Sequence, residues 1–133
     1  MSAKVFLDTN ILVYAVTSTD PRQVTAQSLC RQGGTISVQV LNEFANVAAK
    51  KLGFSWREVC DALHALRSAF GEPVPITVSL HAEAVGIAER HRLSFYDALI
   101  LAAAREAGCR EVLTEDLRDG AVLDGVSIRN PFS

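Results

Sequence analysis

The chain has 133 residues, of which 49% are hydrophobic, 21% charged and 7% aromatic, and it carries a formal net charge of −2. This length and apolar content fit one domain, 1–133, able to bury a core without disulfides, and the near-neutral balance excludes a global basic field that would draw in nucleic acid. A phosphate-bearing partner must therefore be held by local patches or by metal.

Cys30, Cys60 and Cys109 are odd in number and far apart, with no C-x-x-C pair and no histidine at ligand spacing, which argues against zinc and for a reducing, cytoplasmic setting. Cys60 recurs with Val59, Leu63 and Leu66 at helical intervals and reads as a small apolar core residue. The apolar stretch within Met1 to Asp8 is too short for a signal peptide, and the longest apolar run, Ala98 to Ala104, cannot span a bilayer. A soluble protein without a membrane partner is expected.

Taken in chain order, Lys4 to Leu7 reads as a buried strand and Ile11 to Val16 as a short helix. Asp20-Pro21 then opens a second helix as N-cap and first-turn proline, ending at Gly33-Gly34. Thr35 to Val38 reads as a short strand. Gln39 to Leu52 has helical period, with Val40, Phe44 and Val47 on one stripe and Gly53 as the stop. Ser55 and Glu58 form a capping box that starts a helix to about Phe70. Pro73 to Val78 is extended, Ser79 caps a helix to about Arg92, and Ser94 caps another that ends at Gly108. Glu111 to Thr114 and Val126 to Arg129 are closing strands. This alternation predicts an α/β fold with a mainly parallel sheet covered by helices on both faces.

Four acids fall in apolar company. Asp8 follows Val5-Phe6-Leu7 and Asp116 follows Val112-Leu113-Thr114, so both sit beyond the C-terminal ends of strands, the rim where open parallel sheets bind ligands. Glu43 lies three residues after Val40 and four before Val47, which places it on the apolar face of its helix. Asp97 starts an alanine-rich helix that is apolar almost all round. Each has a plain structural alternative: Asp8 and Asp97 as helix caps, Asp116 as a turn residue, Glu43 as the partner of a core arginine. An isolated carboxylate is costly to bury, so the four together point to a shared cation. Oxygen ligands without histidine or cysteine favour Mg²⁺, or Mn²⁺ as its substitute, and such ions suit hydrolysis of a phosphodiester.

Asp8-Thr9-Asn10 after a strand, Glu43 in Leu41-Asn42-Glu43-Phe44, Asp97 in the run Leu93 to Ala104, and Leu113-Thr114-Glu115-Asp116 resemble the PIN-domain ribonucleases, most closely the VapC-type toxins of toxin–antitoxin pairs. The resemblance covers essentially the whole chain, including Val126 to Phe132. It implies a three-layer α/β/α domain with a mainly parallel sheet, acidic residues binding Mg²⁺ or Mn²⁺, endonucleolytic cleavage of RNA, homodimerisation and neutralisation by a cognate antitoxin. By position, Asp8, Glu43, Asp97 and Asp116 look like the family's catalytic and metal-binding quartet, with Thr114 as a polar supporter. Glu115 and Asp119 crowd Asp116, and either neighbour could share its role.

Lys50-Lys51, Arg57, Arg90-His91-Arg92 and Arg118 are candidates for phosphate contacts, although ordinary solvated helix ends are the favoured reading for any one of them. His64, His81 and His91 have no spacing that suggests ligation. Two other classes fit less well. A haloacid-dehalogenase-like phosphatase needs a second aspartate where Asn10 stands, and a catalytically silent binding module would not need four retained acids.

Overall fold

The computed structural model describes residues 4–133; Met1 to Ala3, part of the segment on which the expectation of no signal peptide rests, lie outside the described residues. The elements run β1 (Val5–Leu7), α1 (Thr9–Ala15), α2 (Gln23–Gln32), α3 (Val38–Lys50), α4 (Trp56–Phe70), α5 (Val78–His91), α6 (Phe95–Glu106), β2 (Glu111–Leu113), β3 (Val122–Leu123) and β4 (Val126–Arg129). The sheet order is β1-β2-β4-β3, with β1, β2 and β4 parallel and β3 antiparallel to β4. Helices cover this mainly parallel sheet in a three-layer α/β/α arrangement. Among the described residues no helix is long and apolar enough to cross a membrane.

Side chains alternate across the pleat, so in-register Phe6, Val112 and Ile128 share one sheet face, and all are at most 2% exposed. Helix α6 lies against β2 and β4. Its seven residues Ala98 to Ala104 are all buried, which accounts for a helix without a polar face. The small alanines let it approach its neighbours closely, and α5 packs alongside through Leu80, Ala84 and Ile87.

Several boundaries differ from expectation, each for a local reason. Helix α1 begins at Thr9 because Asp8 itself is the N-cap. Asp20 does not cap α2: its carboxylate accepts the Arg22 N–H and grips the Arg22 guanidinium, and the helix starts after Arg22 with no side-chain cap. The expected strand Thr35 to Val38 is reduced to two parallel bridges, Thr35 to Phe6 and Ser37 to Val74, because Ser37 turns the chain into α3 by accepting the Val40 N–H. Gly34, at φ 152°, lets this crossing pass so close to β1 that an added Cβ would lie 3.0 Å from the Val5 carbonyl oxygen. Thr77, not Ser79, caps α5. Strand β3 was not anticipated; it pairs with β4 through Asp124-Gly125, both at positive φ, the backbone a two-residue hairpin demands.

Asp124 also anchors that turn to the helices. Its carboxylate receives Arg90 at 2.6 Å and His91 at 2.9 Å, with Arg105 at 3.5 Å. Arg90 and His91 are therefore committed to the fold. Cys60, expected in the core, is exposed: Val59 fills the buried phase of α4, and Cys60 faces outward beside Trp56 and His64. The expected capping box of Ser55 and Glu58 is present with both of its bonds.

Candidate active site

The C-terminal ends of β1 and β2 lie side by side, because Leu7 pairs with Leu113 and the Asp8 N–H donates to the Leu113 carbonyl at 3.0 Å. Asp8 and Thr114 therefore emerge next to one another, 3% and 0% exposed. Asp8 uses both carboxylate oxygens: Oδ1 accepts the Thr9 N–H at 2.7 Å and Oδ2 accepts the Thr114 hydroxyl at 2.8 Å.

Thr114 is the hub of the site. Its one hydroxyl hydrogen goes to Asp8, so Oγ1 must accept from its other neighbours, the Asp116 N–H at 3.0 Å and the Asn10 Nδ2 at 3.3 Å. Asn10 Nδ2 also donates to Asp116 Oδ2 at 3.2 Å. Both partners being acceptors, the orientation of the Asn10 amide is set, and its Oδ1 is left buried without a partner among the described residues. Glu43 arrives from α3 and accepts the Thr9 hydroxyl at 3.3 Å. Asp97 sits in the first turn of α6, where its N–H donates to the Ser94 hydroxyl at 3.2 Å. The reciprocal bond from the Ser94 backbone N–H to the Asp97 carboxylate, which would complete a capping box, is not formed.

The electrostatics tie the four acids together. Burial, above all, pushes the Asp8 carboxyl up to about 6; the Thr114 and Thr9 hydrogen bonds oppose the rise, and the charges of Asp116 and Asp97 add to it. Burial likewise raises Glu43 to about 7, reinforced by Asp8, Asp97 and Asp116. Asp97 is raised by burial and by Asp116, with the Ser94 hydroxyl opposing. Among the described residues, however, no three His, Cys, Asp or Glu side chains stand close enough to chelate an ion in this arrangement. The quartet is a rim of facing acids, not a closed cage. Magnesium does not require a cage: it commonly binds through one or two carboxylates and keeps several waters.

The hard oxygens at this rim, their mutual repulsion and the partnerless Asn10 Oδ1 make a donor set suited to a divalent ion. A cleft of about 190 Å³ lined by Thr9, Asn10, Val13, Tyr14, Glu43 and Asp116 opens beside it. A larger hollow of about 400 Å³, lined by Lys4, Gly33, Gly34 and Arg129 among others, contains no carboxylate and lies away from this chemistry.

The neighbours of Asp116 are engaged elsewhere. Glu115 accepts the Tyr14 hydroxyl and pairs with Arg22 at 3.2 Å, while the Arg22 guanidinium lies 3.8 Å from the Tyr14 ring centre. Asp119 accepts the Asn130 N–H at 2.8 Å. Of the three acids in this loop, only Asp116 joins the Thr114 network. Thr9 and Asn10 were read only as part of a triplet; that they bind Glu43 and Asp116 depends on residues 34 and 106 positions away.

The PIN domain family model matches residues 5–121, and the chain belongs to the PIN-domain family. No curated protein matches it significantly. Among solved structures it is similar to the VapC20 toxin of Mycobacterium tuberculosis, a sarcin–ricin loop cleaving toxin, at 25% identity and a TM-score of 0.69, covering 85% of this chain and 92% of that one. A toxin–antitoxin complex from Klebsiella pneumoniae shares 24% identity with a TM-score of 0.72, covering 96% and 98%. A DNA-bound VapBC complex from Salmonella typhimurium shares 22% identity with a TM-score of 0.69, covering 98% and 99%.

Proposed function

We propose that this protein is a metal-dependent endoribonuclease, the toxin of a toxin–antitoxin pair. The observation that carries the reading is the rim itself: burial makes the charges of Asp8, Glu43 and Asp97, which come from separate elements, unfavourable without a cation, and the charge of Asp116 acts on all three. These four would hold Mg²⁺ or Mn²⁺, with Asn10 Oδ1 as a neutral oxygen at the same edge. When bound, the ion supplies the charge that cancels this repulsion and polarises the phosphodiester. The protein's own part is placement. Thr9 N–H and Thr114 hold Asp8 in one rotamer, Asn10 draws Asp116 toward Thr114, and Thr9 orients Glu43.

RNA as substrate is supported by the similarity to a toxin that cleaves the sarcin–ricin loop, and an antitoxin partner by the similarity to toxin–antitoxin complexes. We place the protein in the cytoplasm, as a homodimer when not held by the antitoxin. Exposed Val24, Trp56 and Val78, each on a helix and at least 72% accessible, are the apolar surface such assembly would cover.

Incubation of the purified protein with a pool of structured cellular RNAs tests the proposal. Cleavage should require Mg²⁺ or Mn²⁺, stop in EDTA, and be lost in Asp8→Asn and Asp97→Asn. Cleavage that persists in EDTA or in both variants would remove the mechanism, and metal-independent RNA binding without cleavage would assign a binding module.

A further inference from the structure

A second cleft, of about 410 Å³, adjoins the acids and takes no part in the chemistry described so far; it is lined by Gln39, Asn42, Glu43, Asn46 and Tyr96. We infer that it is a subsite for an unpaired nucleobase of the RNA, stacked on Tyr96 and read by the carboxamides of Gln39, Asn42 and Asn46. This rests on the reading of the protein as a ribonuclease.

The lining residues follow from helix geometry. Gln39, Asn42, Glu43 and Asn46 recur at i, i+3, i+4 and i+7 along α3 and form one stripe, so three amides flank an acid of the quartet. Asn42 and Asn46 are exposed, whereas Gln39 is only 8% accessible. Gln39 Oε1 accepts a long bond from Asn42 at 3.4 Å, and its Nε2 donates to no side chain or backbone carbonyl among the described residues and remains open to solvent at the cleft. A largely buried amide with a free donor bordering a cleft is equipped to receive a ligand acceptor.

Across the cleft Tyr96 is 60% exposed, yet it is braced: its ring meets Phe95 edge-on at 5.6 Å, and Phe95 lies 5.0 Å from His81. An aromatic ring held at its edge while largely open to solvent is a stacking platform. The lining offers hydrogen bonds in both senses but no positive charge, and Glu43 would repel a phosphate. That chemistry selects a neutral, flat, polar heterocycle, and unpaired RNA bases are recognised by stacking on aromatic rings and hydrogen bonding at their edges. The hollow falls within the range of about 300–1,000 Å³ usual for small-ligand pockets. It is too polar for an apolar helix of an antitoxin or a second copy of the chain.

Position links the subsite to cleavage. Glu43 lines both clefts, and Asp97 follows Tyr96 directly, so a base seated here brings its own backbone to the acidic rim. The subsite would thus choose which phosphodiester is cut.

The test compares cleavage maps and steady-state kinetics on the RNA pool, with Mn²⁺, for the parent, Tyr96→Ala, Tyr96→Phe and the Asn42→Ala/Asn46→Ala double variant. Loss of one base–aromatic stack should raise KM on the order of 5- to 100-fold in Tyr96→Ala and broaden the cleavage sites, with Tyr96→Phe close to the parent. The double variant should broaden base preference with little change in kcat. Melting temperature and Mn²⁺ affinity, which a merely structural defect would alter, should stay unchanged in all. If the parent cuts RNA but the variants give its map and a KM within two-fold, the subsite is wrong and the nuclease stands. A variant that keeps its cleavage map but loses self-association or antitoxin binding gives the face to a protein partner and overturns the inference. If the parent cuts no RNA with any divalent ion, both readings fall together.

Discussion

In EDTA the folded protein should lose stability as pH rises from about 4 to about 7. Burial keeps the Asp8 carboxyl protonated up to about 6, whereas the unfolded chain releases that proton near 3.8. Between these values the folded state holds a proton that the unfolded state has lost, so stability falls through the interval and levels off above the folded value. The gap is about two pH units at roughly 1.4 kcal/mol each, or about 3 kcal/mol from Asp8 alone. For a chain of this length that corresponds to roughly 10 °C in Tm. Glu43 carries the same trend on to about pH 7, with a smaller share because its side chain is only half-buried. Asp20 and Asp124, held near about 2 chiefly by their arginine partners, act the other way, but in a lower pH window. Urea denaturation at a series of pH values, for the parent and Asp8→Asn, isolates the effect from that of every other group. The variant should lose most of the slope. A parent that is flat or gains stability over this interval, or a variant with an unchanged slope, would refute buried repulsion at the rim.

Two further outcomes are expected. Thr114→Val leaves Asp8 Oδ2 without its donor and the Asp116 N–H and Asn10 amide without their shared acceptor, and should cost about 3 kcal/mol in chemical denaturation; a loss below about 1 kcal/mol would show that the hydroxyl is not the hub. Asp116→Asn should abolish RNA cleavage while Asp119→Asn leaves it intact, measured side by side at saturating Mn²⁺, because only Asp116 reaches the Thr114 network; the reverse result would move the fourth acid to Asp119.

The elements that were readable in the sequence are those whose signals are local. Ser55 and Glu58 start α4, Ser94 starts α6, and the apolar triplets of β1 and β2 end where an acid or threonine follows. Asp124-Gly125 is an equally local hairpin signal and went unread because β3 has only two residues. Asp20 had the right residue type for a cap, but Arg22 offered its carboxylate a stronger partner. The four acids stood out because Asp8, Glu43 and Asp97 lie in or directly beside apolar runs and Asp116 falls just past one. What gives them their geometry could not: Thr114 meets Asp8 only through the pairing of β1 with β2, and Asn10 meets Asp116 only because α1 starts at that same edge. Cys60 shows the limit of periodicity, since a stripe on an amphipathic helix can be displaced by one residue and still look regular.

Both margins of the sheet are blunted. On one side the last rung is a lone bridge at Val74 between Pro73 and Pro75, neither of which has an N–H to offer an incoming strand. On the other, β3 is two residues long and its reverse turn is latched by Arg90, His91 and Arg105. Neither flank can template the growth of a continuous ribbon through a second molecule. Copies of this chain should therefore meet through helices, and the fold should resist fibril formation even when crowded with newly made neighbours.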